Sequence, residues 1–150
     1  MSIRNLTLSD VPEIIEIFKF HNQSEGWNES LERFTHELHE SLNSQEFTKP
    51  YYVVYENEQG SILGFGAYSN TGFDDGVYGL FWGIVHPEHQ GKGIGKALTE
   101  ERIQRIKQAG AHIILSTTKK TWHLERFGFK VIESRDDGYY LMMKTLKHFE

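Results

Sequence analysis

Val85-His86-Pro87-Glu88-His89-Gln90-Gly91-Lys92-Gly93-Ile94-Gly95-Lys96-Ala97-Leu98 is the stretch on which the reading of this chain turns. It joins a β-forming run to a helical one, with three alternating glycines at its centre. Glycines remove the side chains that would keep a ligand off the backbone. The helix that follows points unpaired N–H groups and its positive dipole end outward. A phosphate fits that geometry, and Lys92 and Lys96 add charge at the rim that suits a pyrophosphate better than a lone carboxylate. Two other phosphate patterns do not fit. A dinucleotide fingerprint needs a third glycine, which neither Lys96 nor Leu98 supplies, and His86 to Gln90 lengthen its turn. A P-loop needs Gly-Lys-Ser/Thr, which does not occur here.

Upstream, Val77 to Val85 reads as a strand. Tyr51 to Tyr55 and Ile62 to Tyr68 are rich in β-formers and flank the hairpin turn Glu56-Asn57-Glu58-Gln59-Gly60. Asn70, Gly72, Asp74, Asp75 and Gly76 punctuate the next turn, so the three strands form an antiparallel meander. Earlier still, Ile3-Arg4-Asn5-Leu6 is a short strand, and Asp10-Val11-Pro12-Glu13 opens a helix with an acidic N-cap and a glutamate three residues on. Val11, Ile14, Ile15 and Phe18 recur at helical spacing. After a polar loop from His21 to Asn28, Leu31, Phe34, Leu38 and Leu42 mark a second helix.

Downstream, Gly93 to Ala109 is helical, anchored by Leu98 and Ile106, with a Glu101–Arg105 pair and Gly110 as its stop. Arg102 interrupts the apolar face. His112 to Leu115 is a strand and Lys119 to Arg126 a short helix. Phe129 to Ile132 and Tyr139 to Lys144 close a hairpin around Asp136-Asp137-Gly138.

With 150 residues, the chain has the usual size of one domain, and residues 1–150 are expected to form one. A net charge of -5 offers no basic field for nucleic acid or anionic lipid. The absence of cysteine excludes a disulfide framework, a thiolate zinc site and a cysteine nucleophile. Met1 to Asp10 lacks the apolar core of a signal peptide, and no apolar run is long enough to span a membrane, so the expected location is cytoplasmic.

The central stretch resembles the GCN5-related N-acetyltransferase (GNAT) family, whose acetyl-CoA motif runs Gln/Arg-x-x-Gly-x-Gly/Ala at a strand-to-helix junction. Gln90, Gly93 and Gly95 match it. Val85-His86-Pro87-Glu88 looks like the family's strand ending, Phe127-Gly128-Phe129 resembles its late Gly-Phe, and the element order matches from Ile3 to Leu146. The resemblance implies the α/β (α+β) acyl-CoA N-acyltransferase fold. That is a mixed, mostly antiparallel sheet of about seven strands, splayed between strands 4 and 5 and flanked by about four helices. It implies acetyl-CoA as cosubstrate, no metal, an amine acceptor and compatibility with a homodimer. By the same resemblance, Gly83, Ile84 and Val85 pair with the pantetheine arm, while Gln90, Gly91, Lys92, Gly93, Ile94, Gly95 and Lys96 hold the pyrophosphate. Transfer then proceeds to a primary amine of a small molecule, peptide or protein by direct attack.

Three features of the family are missing. Its frequent fourth-strand glutamate is replaced by Leu80-Phe81-Trp82-Gly83, and Leu124 stands where a tyrosine often protonates the thiolate. The asparagine frequent near Thr117 is absent too. Proton handling therefore falls to water, or to one of Glu25, His21, Asp74, Asp75, Tyr139 and Tyr140, none of which the sequence singles out. The same gaps leave open a non-catalytic acyl-CoA sensor. The resemblance places Trp27 and Trp82 around the acceptor cleft, where an aromatic wall with Glu25 and Asp75 suits a cationic amine. His36 and His39 read as a solvated helix face, and His86 and His89 as turn residues.

Overall fold

The protein, seen here as a computed structural model, is described over residues 2–27 and 29–147. Met1 of the opening segment, Asn28 of the expected interhelical loop and residues 148–150 lie outside the described residues. The elements run β1 (Ser2–Asn5), α1 (Val11–Ser24), α2 (Leu31–Asn43), β2 (Tyr51–Glu56), β3 (Ile62–Asn70), β4 (Val77–Val85), α3 (Ile94–Gln108), β5 (Ile113–Thr118), α4 (Thr121–Glu125), β6 (Lys130–Ser134) and β7 (Tyr140–Thr145). The strands form one sheet in the order β1-β2-β3-β4-β5-β7-β6. Pairing is antiparallel throughout except between β4 and β5, which the α3 crossover makes parallel. The fold is the mixed, splayed sheet expected from the sequence.

Strand alternation separates two cores. Val53 and Val54 are neighbours and both fully buried, yet they belong to different clusters, because successive side chains point to opposite faces. On one face Ile14, Phe18, Phe34 and Leu38 of α1 and α2 cover Phe65, Ala67 and Ile84. On the other, Ile94, Leu98 and Ile106 of α3 cover Tyr68, Leu80 and Ile114. Phe18 stacks on Phe34 at 4.1 Å between ring centres, which ties α1 to α2.

Two local expectations are corrected. Asp10 stands at the N-cap position of α1, but its carboxylate makes no capping hydrogen bond to that helix. Its carboxylate instead accepts the Thr7 N–H (2.8 Å) and hydroxyl (3.0 Å), closing a 3-10 turn at Leu8–Asp10. Glu13 accepts the Ile62 N–H at 2.8 Å and so joins α1 to the start of β3. A distant partner with an unpaired donor outcompeted the local box. The first helix also runs on to Ser24, past the expected loop start, so His21 becomes a buried residue of its last turn. Its unpaired-looking polarity in the sequence hid a contact with Trp27, whose ring stands edge-on at 4.5 Å.

Asp10 also receives both Arg4 Nη atoms, at 2.8 and 2.9 Å, and Arg4 bonds Glu56 at 2.8 Å. The Arg4 hydrogen bonds hold the Asp10 carboxyl below the usual carboxylate range, outweighing burial, which acts the other way. A depressed folded pKa gives stability that is present above the unfolded value near 3.9 and is lost as pH falls through the folded one. Asp10→Asn is therefore expected to lower unfolding free energy by about 2 kcal/mol at pH 7, and by much less near pH 2. Urea denaturation of both proteins at the two pH values measures this difference.

Candidate functional site

Among the described residues, β4 pairs with β5 only through Val77–Gly79 against Ile113–Leu115. The closed end is fastened by the His112 and Ile113 N–H groups, both on the Gly76 carbonyl at 2.8 and 3.0 Å. Ser116 donates its hydroxyl to the Leu80 carbonyl at 2.7 Å, one residue beyond the last ladder pair. Past that point β4 keeps β3 on one side, while Ser116–Thr118 of β5 pair with β7. The result is a V-shaped gap. Gly83, in the middle of a sheet, is exposed for this reason.

The backbone of β4 presents polar groups to the gap. His86 N–H donates to the Leu63 carbonyl at 2.8 Å, and hydrogen-bonded residues recur every second position in an antiparallel ladder. Ile84, in register with Phe65, thus bonds β3 through both its N–H and its C=O. The Gly83 carbonyl and the Val85 N–H and carbonyl turn the other way. By this alternation the peptide groups of Ile84 face β3, and its side chain is buried in the core. Gln90, at the open end, donates its side-chain amide to the Val85 carbonyl at 3.3 Å.

The glycine turn leads from this edge into α3. Gly91 and Gly93 have φ of 80° and 83°, the left-handed region that glycine alone enters without strain, and Gly93 is the N-cap of α3. Gly95 differs. A Cβ there would meet Val85 Cγ2 at an ordinary 3.6 Å, which accounts for an alternative alanine in the resembling motif. Among the described residues no side chain caps the helix, and its first turn holds no acid, so the N–H groups face outward with Lys92 and Lys96 exposed beside them. Ile94 is buried against Gly64 and anchors the helix start. His86 Nδ1 accepts the Glu88 N–H at 3.1 Å, and His89 Nδ1 lies 3.2 Å from Lys92 Nζ.

Within β4, Phe65 is in register with Ile84 and Ala67 with Phe81, so Trp82 and Gly83 stand opposite Gly66 alone. This is a bulge. Trp82 has φ of 58°, the one positive value at a non-glycine position among the described residues. The extra residue puts Phe81 and Trp82 on the same face, both against the α1–α2 core. The Trp82 indole meets Phe18 and Phe34 edge-on at 5.5 and 5.4 Å, and its Nε1 donates to Glu37 Oε2 at 2.7 Å. That same oxygen accepts the Tyr52 hydroxyl at 3.2 Å. Glu37 is a carboxylate joined to the bulge that the sequence reading missed. On α2 it shows as one more polar-face acid, and only the fold reveals its partners.

Behind the bulge lies Arg102, 3% exposed. It donates to the carbonyls of Leu98 (3.2 Å), Ala67 (3.1 Å) and Phe81 (2.9 Å), and to the Thr99 hydroxyl at 3.4 Å. Thr99 gives its own proton to the Gly95 carbonyl at 2.8 Å, so His123 Nε2, at 3.2 Å, must be the donor to that hydroxyl. His123 Nδ1 then accepts from Arg126 at 3.1 Å. A polar chain thus runs from α4 through α3 to the bulge. The interrupted face of α3 was its only trace in the sequence.

The acceptor-side candidates scatter. Trp27 and Trp82 both pack on the α1–α2 core, while Glu25 is exposed at the end of α1. Asp74 and Asp75 sit at the closed end of β4, about 20 Å from Trp82 by strand rise, with their carbonyls held by Asn70. They do not reach the gap. Tyr139 lies between Lys119 and Arg135 at 5.1 and 5.5 Å, and Tyr140 pairs with Thr118 at the open end. His36 pairs with Glu40 at 3.2 Å on an exposed helix face.

Comparison with known proteins adds independent findings. The model of the acetyltransferase (GNAT) family matches residues 13–129. An L-methionine sulfoximine/L-methionine sulfone acetyltransferase of Salmonella typhimurium is 31% identical over 44% of this chain and 40% of its own. The L-amino acid N-acyltransferase MnaT of Escherichia coli is 30% identical over 54% of this chain and 51% of its own. The chain thus spans about half or less of the length of these curated relatives. The crystal structure of a GNAT family acetyltransferase from Brucella melitensis in complex with acetyl-CoA is 24% identical. It superposes with a TM-score of 0.75 over 98% of this chain and 88% of its own.

His21 and His123 are both pushed below the ordinary histidine value, chiefly by burial; Lys120 adds to the effect at His21, against Glu25, and Arg126 and Arg102 add to it at His123. His21 Nδ1 has no hydrogen-bond partner among the described residues. Both rings are expected to titrate below 6.5 by NMR. The unfolded chain takes up these protons first, so stability is complete above about pH 7 and falls as pH drops through the folded values. His21→Phe should flatten that dependence in melting curves between pH 5 and 7.5.

Proposed function

The chain belongs to the acetyltransferase (GNAT) family, and from that premise we propose that it moves the acetyl group of acetyl-CoA to a primary amine by direct attack in a ternary complex. The observation that carries this reading is the gap between β4 and β5 with the uncapped, glycine-led start of α3 at its mouth. The N–H groups of Gly91 through Lys96 take the pyrophosphate. The pantetheine lies in the gap on the Gly83 carbonyl and the Val85 N–H, as a strand would. Residues 1–150 act as one N-acetyltransferase domain in the cytoplasm.

The acceptor enters from the α1–α2 side, past Trp27, Glu25 and Trp82. A lysine-like amine of pKa about 10.4 is neutral in only roughly 1 molecule in 2,500 at pH 7, so a proton leaves before attack. Its lone pair then adds to the thioester carbon, the C–N bond forms, the C–S bond breaks and the CoA thiolate departs, while the second proton of the now cationic nitrogen passes to water. With no acid on β4 in the gap, water carries the proton, and proximity with a polarising backbone N–H supplies the rate. The names of the two curated relatives make amino-acid amines the first acceptors to screen.

Acetyl-CoA and CoA at 100 times Kd are expected to add about 2.7 kcal/mol of stability, several degrees in melting temperature, and ATP far less. Gly93→Glu places a carboxylate and a strained φ at the phosphate turn and should abolish the shift. A shift with ATP alone would refute the cofactor assignment; binding without turnover over the acceptor screen would refute transfer. Glu25→Gln should leave turnover within a few-fold, whereas a general base would lose 100-fold or more.

A further inference from the structure

Arg102 is an odd residue to bury. Among the described residues none of its hydrogen-bond partners is anionic: three are carbonyls and one a hydroxyl. Burial without an opposing charge pushes its pKa down to about 10, so it stays cationic at neutral pH. Two glycines make room for it. A Cβ on Gly66 would stand 2.6 Å from the guanidinium carbon, and one on Gly83 3.0 Å from Nη2. Gly66 is the residue opposite the bulge and Gly83 belongs to it, so guanidinium, bulge and both glycines form one packed unit.

The contact fixes a peptide. Arg102 Nη1 bonds both carbonyls of the Ala67–Phe81 pair, the last register position before the bulge. Thr71 N–H donates to the Val77 carbonyl, and counting every second position from there makes Ala67–Phe81 a hydrogen-bonded pair, with the Phe81 carbonyl directed at β3. The chain has no cis peptide bond among the described residues. In a trans peptide the next N–H points opposite to the carbonyl. The Trp82 N–H therefore points away from β3 and Arg102, on the side where β5 has diverged. A cation on the carbonyl of a peptide also draws electrons from it and strengthens its N–H as a donor.

We propose that Arg102 is a positioning residue for acetyl transfer: its guanidinium holds and polarises the Phe81–Trp82 peptide so that the Trp82 N–H donates to the thioester carbonyl in the gap. The proposal rests on the acetyltransferase reading and deepens it. When the amine lone pair adds to the carbonyl carbon, the π pair moves to oxygen, and the Trp82 N–H stabilises that oxyanion. On collapse the pair returns, the C–S bond breaks, and the ammonium proton passes to water. Arg102 touches no reacting atom.

The test uses [1-13C]acetyl-CoA with the full chain and hydroxylamine, an amine already neutral at pH 7, as acceptor. In wild type the infrared stretch of the bound thioester carbonyl should fall below its value in water. Arg102→Met should bind acetyl-CoA within about 3-fold by calorimetry, lose that shift and lose roughly 100-fold or more in kcat, with KM little changed, the range for an oxyanion donor. Arg102→Lys, which keeps a cation, should recover part of both. A merely structural arginine would lower the melting temperature and leave the shift and kcat per bound acetyl-CoA within 3-fold, which overturns the proposal. The infrared measurement on wild type needs no variant to fold: bound acetyl-CoA with an unshifted carbonyl, in a protein that transfers acetyl, overturns the role of Arg102 alone. Failure of wild type to bind acetyl-CoA overturns the acetyltransferase reading together with it.

Discussion

Pairing between β4 and β5 stops after three register positions, and the arrangement of the site depends on that interruption. A parallel neighbour continued to Val85 would have consumed the Gly83 carbonyl and the Val85 N–H. Because β5 turns away with β7, those groups remain unclaimed by the ladder, in a row along an edge inside the sheet. Such an edge is a template for an extended partner. The α1–α2 layer packs on one face of the sheet at this edge and α3 on the other.

A gap in a sheet has to be held open against the tendency of strands to pair. Three features here do this. The Gly76 carbonyl and the Ser116 hydroxyl fasten the closed end. The bulge at Trp82 and Gly83 turns β4 and seats the Trp82 indole between Phe18, Phe34 and Glu37. The buried Arg102 fills the far side of the same bulge. Indole and guanidinium thus grip one short piece of backbone from opposite faces. A single-residue insertion in a strand becomes a rigid feature, since neither grip can relax without leaving a buried donor unpaired.

Much of this was legible in the residues. The glycine turn, the meander, the crossover helix and the closing hairpin all lie within about two residues of where local signals put them, because those signals act over a few residues. Failures came where a distant partner won. Asp10 and Glu13 carry the pattern of a local cap, yet the first found Arg4 and the second Ile62. His21 looked like the start of a polar loop and is a buried ring against Trp27. Arg102 looked like a flaw in an amphipathic helix, and the glycines that accommodate it lie on β3 and β4, 36 and 19 residues earlier in the numbering.

The sequence by itself determined the order of elements and the glycine turn into α3, since glycine conformations at Gly91 and Gly93 and a helix start free of acids are properties of contiguous residues. Only the tertiary structure decided which backbone groups of β4 face the gap, which carboxylate meets Trp82 and what lies behind the bulge. Strand register, a one-residue bulge and the reach of a long side chain across a helix–sheet interface are set by packing between segments far apart in the chain. A one-residue change in register reverses the direction of every peptide group, and no local pattern records it.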